Sequence, residues 1–325
     1  MKKIFRFLFC LSLGLCLIFV GGKNTTFAQE KIYLGGMPAG FSLKTNGAYI
    51  IGLCDVISEN GLKSPSKKAG LMIGDVILSI DGIEVNNAED IESVLIDGEE
   101  KQLLICRNGE NFYVLATPEK DFSGKYKLGV FIRENLNGIG TITFIKGDRF
   151  ASLGHPVLAD DGSLIEIRGG TLYNCNITGY IAGEKNRAGE LHGIFDGKPV
   201  ANIDKNLLSG VYGKLNKDFD CSTLKEIEIG EAQVGSAEIY TTIDGRDVQK
   251  YDILIIKTDY QNRTNKNFVI KIEDEGLLGK THGIIQGMSG SPIVQNGVLV
   301  GAVTHVFVND PSRGFGIAIS NMIDN

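Results

Sequence analysis

Residues 286–292 read Gln-Gly-Met-Ser-Gly-Ser-Pro and lead into a largely apolar run at 298–306. Glycine tolerates backbone angles that other residues rarely adopt, so the stretch predicts a sharp turn that enters a β-strand. A serine hydroxyl becomes a good nucleophile only when a base removes its proton. The intermediate of acyl transfer also needs N–H donors aimed at its new oxyanion. Ser289 is therefore the expected nucleophile, and the backbone N–H groups of Gly287 and Ser289 are the expected donors.

The heptapeptide resembles the Gly-x-Ser-Gly-Gly-Pro signature of chymotrypsin-like peptidases, with Ser291 in place of the last glycine. On this resemblance Ser289 takes the position of the nucleophile, whereas Ser291 lies where the next strand is already forming. Two alternatives stay open. Either Ser291 is the nucleophile, or the stretch is an ordinary Gly-Ser turn without chemistry.

The base for this serine must come from one of four histidines. His155 precedes Ser289 by 134 residues, and chymotrypsin-like enzymes place the base in a first barrel and the nucleophile in a second. His192 lies in a polar loop, and His282 lies on the approach to the serine. His305 lies on or just beyond the following strand, where a packed or rim histidine is expected. The order along the chain favours His155.

The composition is that of a globular, mostly β protein. The chain has 325 residues, 43% hydrophobic and 22% charged, which argues against disorder and for two folded domains. Its 42 glycines are scattered among short apolar runs, as is typical of strands joined by tight turns. The formal net charge of −6 argues against a nucleic-acid partner.

Residues 126–325 are expected to form a chymotrypsin-like double β-barrel, because about 200 residues of short strands suit that architecture. The predicted strands are 128–132, 140–145, 164–167, 177–182, 237–240, 253–257, 268–272 and 298–306.

Residues 31–118 predict a smaller α+β module. A short helix at 87–96 follows a strand pair around the Asp-Gly turn at 81–82, and a hairpin turns at 108–109. This order resembles the PDZ domains attached to bacterial proteases. Such domains bind a peptide end in a glycine-rich loop while the peptide adds to a sheet edge. The resemblance puts the peptide-binding loop at Gly40, Phe41, Ser42 and Leu43; the alternative is that Gly40 merely turns the chain.

The first 28 residues predict a targeting segment. Lys2, Lys3 and Arg6 precede an apolar run at 7–20 that is short for a membrane-spanning helix, and small residues at 26–28 suit a signal peptidase. Both a cleaved signal peptide and a retained membrane anchor fit this pattern. Either one places the rest of the chain outside the cytoplasm.

Three segments together resemble the sporulation stage IV protein B (SpoIVB) peptidase family: the serine turn, Ser-Leu-Gly-His at 152–155, and the run at 301–311. The resemblance extends from the PDZ-like region to about residue 319. It implies a chymotrypsin-like serine peptidase with Ser289 as nucleophile, His155 as base and Asp274 as the acid that orients the base.

Asp274 stands between Glu273 and Glu275, so a solvated acidic turn is equally natural there. The alternative acids are Asp160, Asp161 and Asp196. Arg313, in a turn after the last apolar run, is either a contact for an acidic substrate group or a surface charge.

The family resemblance also implies a biological setting. The peptidase is expected in endospore-forming bacteria, exported to the space between forespore and mother cell and held near the membrane by its N-terminal segment. Its expected substrates are its own N-terminal segment and a membrane-bound regulator. Cutting the regulator releases an intramembrane protease that processes a sigma-factor precursor.

Two other functions compete with the peptidase. The chain could be a catalytically inactive scaffold that binds membrane partners, and the reactivity of Ser289 separates the two. A metallohydrolase lacks ligands, because no His-x-x-x-His motif is present. Cys54, Cys106, Cys175 and Cys221 are spaced too widely for a zinc site and are expected as buried free thiols. We expect no cofactor and no metal dependence.

Overall fold

The computed structural model describes residues 31–159 and 162–325. The targeting segment at 1–28 and the alternative acids Asp160 and Asp161 lie outside the described residues. Within the described part, no helix is long and apolar enough to cross a membrane. Cys54, Cys106 and Cys221 are half-buried free thiols, and Cys175 is a buried one.

The chain folds into a mostly β structure with short helices. The strands of the first half are β1 (Ile32–Leu34), β2 (Pro38–Leu53), β3 (Val56–Ser58), β4 (Gly61–Lys63), β5 (Val76–Ile80), β6 (Ile83–Glu84), β7 (Lys101–Arg107), β8 (Glu110–Ala116), β9 (Glu119–Lys120), β10 (Tyr126–Lys127) and β11 (Val130–Lys146). Those of the second half are β12 (Arg149–Ser152), β13 (Ile167–Ile181), β14 (Glu190–Leu207), β15 (Gly210–Leu215), β16 (Gly235–Thr241), β17 (Gln249–Thr258), β18 (Phe268–Ile272), β19 (Pro292–Gln295), β20 (Val298–Phe307) and β21 (Asp310–Ala318). The helices are α1 (Pro65–Lys68), α2 (Ala88–Val94) and α3 (Glu275–Thr281), and a 3₁₀ turn follows at Ile319–Asn321.

Six strands pair in a closed antiparallel ring, which we call the first barrel. The order is β2, β11, β12, β15, β14 and β13, and β13 pairs back onto β2. Side chains from alternate positions of these strands fill its core, as the two-residue period of a strand requires. The core side chains include Phe41, Leu43, Ile145, Phe150 and Leu172.

The second barrel is a closed ring of β16, β17, β18, β21, β20 and β19. Its core contains Ile239, Ile253, Phe268, Ile270 and Val303. A further apolar cluster joins the two barrels, because Phe144 and Tyr212 of the first pack with Leu299 and Ile317 of the second. The barrels therefore bury apolar surface against each other, and this contact brings their loops together.

The PDZ-like module is inserted into the first barrel rather than placed before it. Strands β2 and β11 run out of the barrel as one ribbon, in which Val130 pairs with Leu53 and Ile132 with Ile50. At the same end, Ala48 pairs with Ile77 of β5. A separate core of residues from 48 to 128 closes the module beneath helix α2.

The predicted boundaries at 31–118 and 126–325 are therefore wrong at the start of the chain. Residues 38–45 are part of a barrel strand, paired with β11 on one side and with β13 on the other. The sequence did not reveal this boundary, because β2 is a single strand of 16 residues that is part of both units. Asn46 and Gly47, with φ of +95° at Gly47, stand at the point where it leaves the barrel and enters the module, but they bend the strand without ending it.

The predicted peptide-binding loop at 40–43 is also wrong. Gly40, Phe41, Ser42 and Leu43 lie in the middle of β2, where Ser42 pairs with Asn137 on one side and Thr171 on the other. A strand with neighbours on both sides has no free backbone edge for a peptide. Gly40 is needed for a different reason, since a Cβ there would meet the Phe195 ring at 2.4 Å.

Candidate active site

The serine turn joins helix α3 to strand β19, and two of its backbone amides are left without an acceptor. Each of the others donates a hydrogen bond: Ile285 to Met288 Sδ, Gln286 to the Gly189 carbonyl, Met288 to that of Ile285, Gly290 to that of Val303, and Ser291 to that of Met288. Among the described residues, no acceptor contacts the N–H groups of Gly287 and Ser289. These are the two donors expected from the sequence.

Glycine is required at position 287 by its backbone angle and its neighbours. Its φ is +96°, in the left-handed region that other residues rarely adopt. A Cβ at Gly287 would also lie 2.9 Å from the side chain of Leu191. Only glycine in this position therefore allows the turn to keep the Gly287 N–H at the cavity.

The two candidate serines have different surroundings. Ser289 is half-buried and lines a cavity between the barrels. Ser291 is fully buried, and its Oγ donates to the Met288 carbonyl at 2.6 Å. Its hydroxyl therefore stabilises the turn, while the Ser289 hydroxyl is the one that faces the cavity.

Two buried threonines of the first barrel hold the serine turn from behind. Thr141 Oγ1 donates to the Gly287 carbonyl at 2.9 Å, and its N–H donates to the Ser289 carbonyl at 2.9 Å. Thr143 Oγ1 donates to the Gly290 carbonyl at 2.7 Å. Because these carbonyls are fixed toward β11, the N–H groups of the turn are fixed as well. Sequence reasoning missed both threonines, although their alternation within the predicted strand 140–145 was visible.

The cavity has a volume of about 560 Å³ and a mostly apolar lining. The first barrel contributes Phe41, Leu43 and Leu153, and the second contributes Ile284 and Val306. The ionisable side chains among its described lining residues are those of two histidines, His155 and His305.

His155 reaches the cavity on a tight loop after β12. Leu153 and Gly154 before it both have positive φ, and Gly154 packs so closely against the second barrel that a Cβ would lie 3.0 Å from Thr304 Cγ2. His155 Nδ1 lies 2.8 Å from the Pro156 carbonyl oxygen. A carbonyl only accepts, so Nδ1 carries the proton and Nε2 keeps its lone pair. This is the tautomer that a general base needs.

Burial lowers the pKa of His155, and the hydrogen bond to Pro156 acts in the opposite direction. The imidazole is therefore neutral at pH 7 and able to take a proton. His305 lies beside it, with ring centroids 4.9 Å apart and planes tilted by 40°. Desolvation on the packed side of the ring, with the nearby His155 and Lys266, lowers the pKa of His305 to about 4. His305 is thus the rim histidine expected from the sequence.

The other two histidines lie elsewhere. His192, on β14, is exposed and its Nε2 lies 3.0 Å from Glu190 Oε1. His282 ends helix α3 with φ of +60°, and its Nδ1 lies 3.0 Å from the Gly183 carbonyl oxygen, to which it donates. Neither side chain lines the cavity.

The structure does not bring Asp274 together with His155. Asp274 is the N-cap of helix α3, and its Oδ1 accepts the Leu277 N–H at 2.8 Å. A carboxylate in that position satisfies the free amides of the first helical turn. Asp196 pairs with Arg246 at 2.5 Å on the surface. Among the described residues, no carboxylate is hydrogen-bonded to His155, and Pro156 supplies the acceptor for its Nδ1.

Arg313 does not line the cavity either. It forms an ion pair with Asp310, at 3.1 Å between Nε and Oδ2, at the start of β21. This is the surface role that the sequence left open for it.

A second concave site lies in the inserted module. An apolar groove of about 440 Å³ separates helix α2 from the beginning of β11, lined by Ala88, Ile91 and Leu95 on the helix side and by Gly129, Val130 and Ile132 on the strand side. Residues 130–133 pair with β2 on one side. Within the described residues, no strand pairs with their other side, so this edge is open to an added strand.

Comparison with known proteins finds a family for each of the two parts of the chain. A model of the SpoIVB peptidase S55 family matches residues 124–323. This chain belongs to the SpoIVB peptidase S55 family. The family is one of peptidases, which hydrolyse peptide bonds. A PDZ domain model matches residues 56–107, within the inserted module.

The S55 peptidase also shares shorter stretches with curated relatives. It is 35% identical over 120 residues to the chloroplastic membrane metalloprotease ARASP of Arabidopsis thaliana, 35% of this chain and 26% of that protein. It is 33% identical over 104 residues to the serine protease HTRA1 of Xenopus tropicalis, 31% of this chain and 21% of that one. The chain thus spans about a quarter of the length of these relatives.

Among solved structures, the inactive form of the Rv3671c protease of M. tuberculosis aligns with this S55 peptidase at 14% identity and a TM-score of 0.35. The alignment covers 56% of this chain and 79% of that one.

The groove has the two parts that a PDZ domain uses to bind a peptide, although the strand edge at 130–133 lies outside the residues that the PDZ model matches. PDZ domains bind a peptide as an added strand between a sheet edge and a helix. The groove between α2 and the edge at 130–133 has both parts. The glycine-containing approach to that edge is Lys127-Leu128-Gly129, near the end of the module rather than at its start.

Proposed function

We propose that this S55 peptidase is an exported endopeptidase of sporulation signalling that cleaves by acyl transfer through Ser289, with His155 as general base. One observation supports this chemistry above the others. The N–H groups of Gly287 and Ser289 have no acceptor among the described residues, beside a serine and a histidine that line the same cavity. Unused, fixed donors next to a nucleophile are what an oxyanion requires.

In the proposed reaction, His155 Nε2 takes the proton of the Ser289 hydroxyl as its oxygen attacks the peptide carbonyl. The two N–H groups bind the oxyanion, and the proton then passes to the leaving amine. Water attacks the acyl-enzyme by the same route. The Pro156 carbonyl holds the imidazole in the reactive tautomer. No hydrogen bond joins Ser289 to His155 in the described structure, and such contacts commonly tighten only when substrate binds.

The two closed rings, with the histidine on the first and the serine on the second, support a chymotrypsin-like double barrel. We propose boundaries of 32–47 and 134–325 for the catalytic unit and of about 48–133 for the inserted PDZ module. We further propose that the cavity accepts an apolar substrate side chain. Its lining offers no counter-charge for a charged one among the described residues, and burying an unpaired charge is costly.

The biological proposal follows the family resemblance. The chain would act in the space between forespore and mother cell, held near the membrane by residues 1–28. It would cut its own N-terminal segment and a membrane-bound regulator, which releases an intramembrane protease acting on a sigma-factor precursor. The PDZ groove would bind an extended segment of such a protein substrate.

The first test compares purified wild type with Ser289→Ala and follows self-cleavage by mass spectrometry. We expect wild type to shorten near its N-terminus and Ser289→Ala to stay intact. Ser291→Ala is the matched control, because its hydroxyl contacts only the turn, and it should still be labelled by a fluorophosphonate probe. If Ser289→Ala shortens as fast as wild type, Ser289 is not the nucleophile.

A catalytically inactive scaffold is the second candidate. It is favoured by the lack of a carboxylate on His155 among the described residues and by the unformed contact between Ser289 and His155. A scaffold would not react with the fluorophosphonate probe, whereas the proposed peptidase would be labelled on Ser289. Labelling followed by peptide mapping therefore separates the two.

A further inference from the structure

Two imidazoles face one another at the mouth of the active-site cavity. The ring centroids of His155 and His305 are 4.9 Å apart, and the planes are tilted by 40° rather than stacked flat. Two imidazoles bound through nitrogen to one tetrahedral Zn²⁺, at about 2.0–2.1 Å each, have centroids about 5 Å apart. The pair thus has the spacing of a two-histidine metal site.

The hydrogen bonding of His155 also suits a ligand. Metal-binding histidines usually donate their second ring nitrogen to a carbonyl or carboxylate, which fixes the ring and leaves the other nitrogen free. His155 donates Nδ1–H to the Pro156 carbonyl at 2.8 Å, so Nε2 is the free nitrogen. The contact that prepares His155 as a base therefore also prepares it as a ligand.

An unsatisfied hydroxyl lies next to the pair. Thr304 lines the same cavity and is only 4% exposed, and its Oγ1 has no hydrogen-bond partner in the described part of the chain. A buried polar atom without a partner is costly unless water or a ligand satisfies it.

We propose that His155 and His305 bind a divalent transition cation of the Zn²⁺ class, and that the bound cation reversibly blocks the peptidase. Coordination occupies the lone pair of His155 Nε2, which then cannot take the proton of Ser289. The blocking effect rests on the proposed catalytic role of His155, whereas the binding itself does not.

Such a site is inhibitory rather than structural or catalytic. Within the described residues, no three His, Cys, Asp or Glu side chains cluster, whereas structural zinc sites use four protein ligands and catalytic ones three. Two histidines leave the remaining positions to water, so the cation should exchange freely and a chelator should remove it. This is compatible with a peptidase that needs no metal.

Binding is tested without activity, on the Ser289→Ala protein purified in chelator and then dialysed. Titration with ZnCl₂ by calorimetry should show one site per chain. Adding His305→Ala should weaken binding by more than about 10-fold, because a direct ligand matters at least as much as an outer-shell partner. His192→Ala is the control, since that exposed histidine lies outside the cavity, and it should leave the affinity unchanged. Equal binding by the His305→Ala and control proteins would overturn the site.

Inhibition is tested on proteins that retain Ser289. ZnCl₂ should slow fluorophosphonate labelling of wild type, and EDTA should restore the labelling rate. For His305→Ala, each rate is compared with the rate of the same variant without zinc. The concentration of ZnCl₂ that slows its labelling should be at least about 10-fold higher than for wild type. MgCl₂ is the cation control, because Mg²⁺ prefers oxygen ligands. Zinc binding without slower labelling would overturn the proposed block, while absence of labelling under every condition would count against the peptidase itself.

Discussion

The active-site cavity and the PDZ groove are both apolar and similar in size, yet they are built in opposite ways. The groove is formed by one continuous stretch, from Cys54 to Ile132, and its main feature is an open strand edge. The cavity joins residues as far apart as Phe41 and Val308, and its polar groups are fixed across the contact between two barrels. Binding therefore needs only local order, whereas the proposed chemistry needs the barrels to be docked correctly. Substitutions should separate these two requirements.

Removal of the proposed base should have the largest effect. His155→Ala leaves Ser289 without a proton acceptor, so we expect kcat/KM to fall by about 10⁴-fold or more. Peptide binding in the groove should be unchanged, because the two sites share no lining residue. Peptide hydrolysis and fluorescence polarisation with a groove-binding peptide measure the two effects. A fall of less than about 10-fold in kcat/KM would exclude His155 as the base.

Gly287→Ala should disturb the oxyanion donors. The new Cβ is strained at φ of +96° and meets Leu191, so the N–H moves. Loss of one such donor costs about 10²–10³-fold in kcat. Gly297→Ala is the matched control, because Gly297 has φ of +83° in a turn of the same barrel and nothing within 4 Å of its Cβ. Comparable losses of kcat in the two variants would mean that strain alone, not the donor, explains the effect.

Thr141→Val should weaken the contact between barrel and serine turn. It removes the hydroxyl that donates to the Gly287 carbonyl and leaves that buried oxygen unpaired, at a cost of about 1–3 kcal/mol. We expect kcat/KM to fall about 10-fold and the midpoint of thermal unfolding to drop. Thr178→Val, where the hydroxyl is exposed and its contact is 3.5 Å long, should change neither quantity. If Tm drops while kcat/KM is unaltered, Thr141 contributes to the stability of the fold and not to catalysis.

Filling the groove should affect protein substrates alone. Ala88→Phe places a ring in the groove from the first turn of α2, while Glu89→Phe places it on the same turn outside the lining. Loss of a contact worth about 1 kcal/mol corresponds to roughly 5-fold in binding, so protein cleavage should slow by that factor. Cleavage of short peptides should not change. Deletion of 31–118 is unsuitable, because it removes the whole of β2 from the first barrel. Equal slowing of both substrates would indicate a structural role for the module.

The smallest expected effect concerns the pH dependence of kcat/KM. Burial holds the pKa of His155 below its ordinary 6.5, so the base stays neutral, and active, as the pH falls through 6.5. The acid limb of kcat/KM, measured in EDTA, should therefore have its midpoint below 6.5. A midpoint above 6.5 would instead indicate a nearby carboxylate that stabilises the imidazolium, with Asp160 and Asp161 as the first candidates to mutate.

Much of the site was predictable because its residues carry local signals. The Gly-Met-Ser-Gly turn predicts Ser289 as nucleophile and both N–H donors without reference to any distant residue, since a turn of this kind is specified by its own glycines. His155 was favoured only by its order along the chain. Asp274 could not be judged, because an aspartate before a helix serves as an N-cap just as well as it serves a distant histidine. The sequence contains no signal that separates the two roles.

The sequence by itself determined the β-rich architecture, the serine turn and the presence of a PDZ-like module. Turns and strand periodicity depend on residues that are neighbours in the chain, so they can be recognised without the tertiary structure. Only the tertiary structure decided the rest. It showed that β2 belongs to both units and that the open strand edge lies at 130–133. It also showed that Thr141 and Thr143 hold the serine turn and that His305 lies beside His155 in the candidate active site. These facts depend on pairings between residues up to about 150 positions apart, and such pairings are fixed by barrel closure and docking rather than by any local pattern.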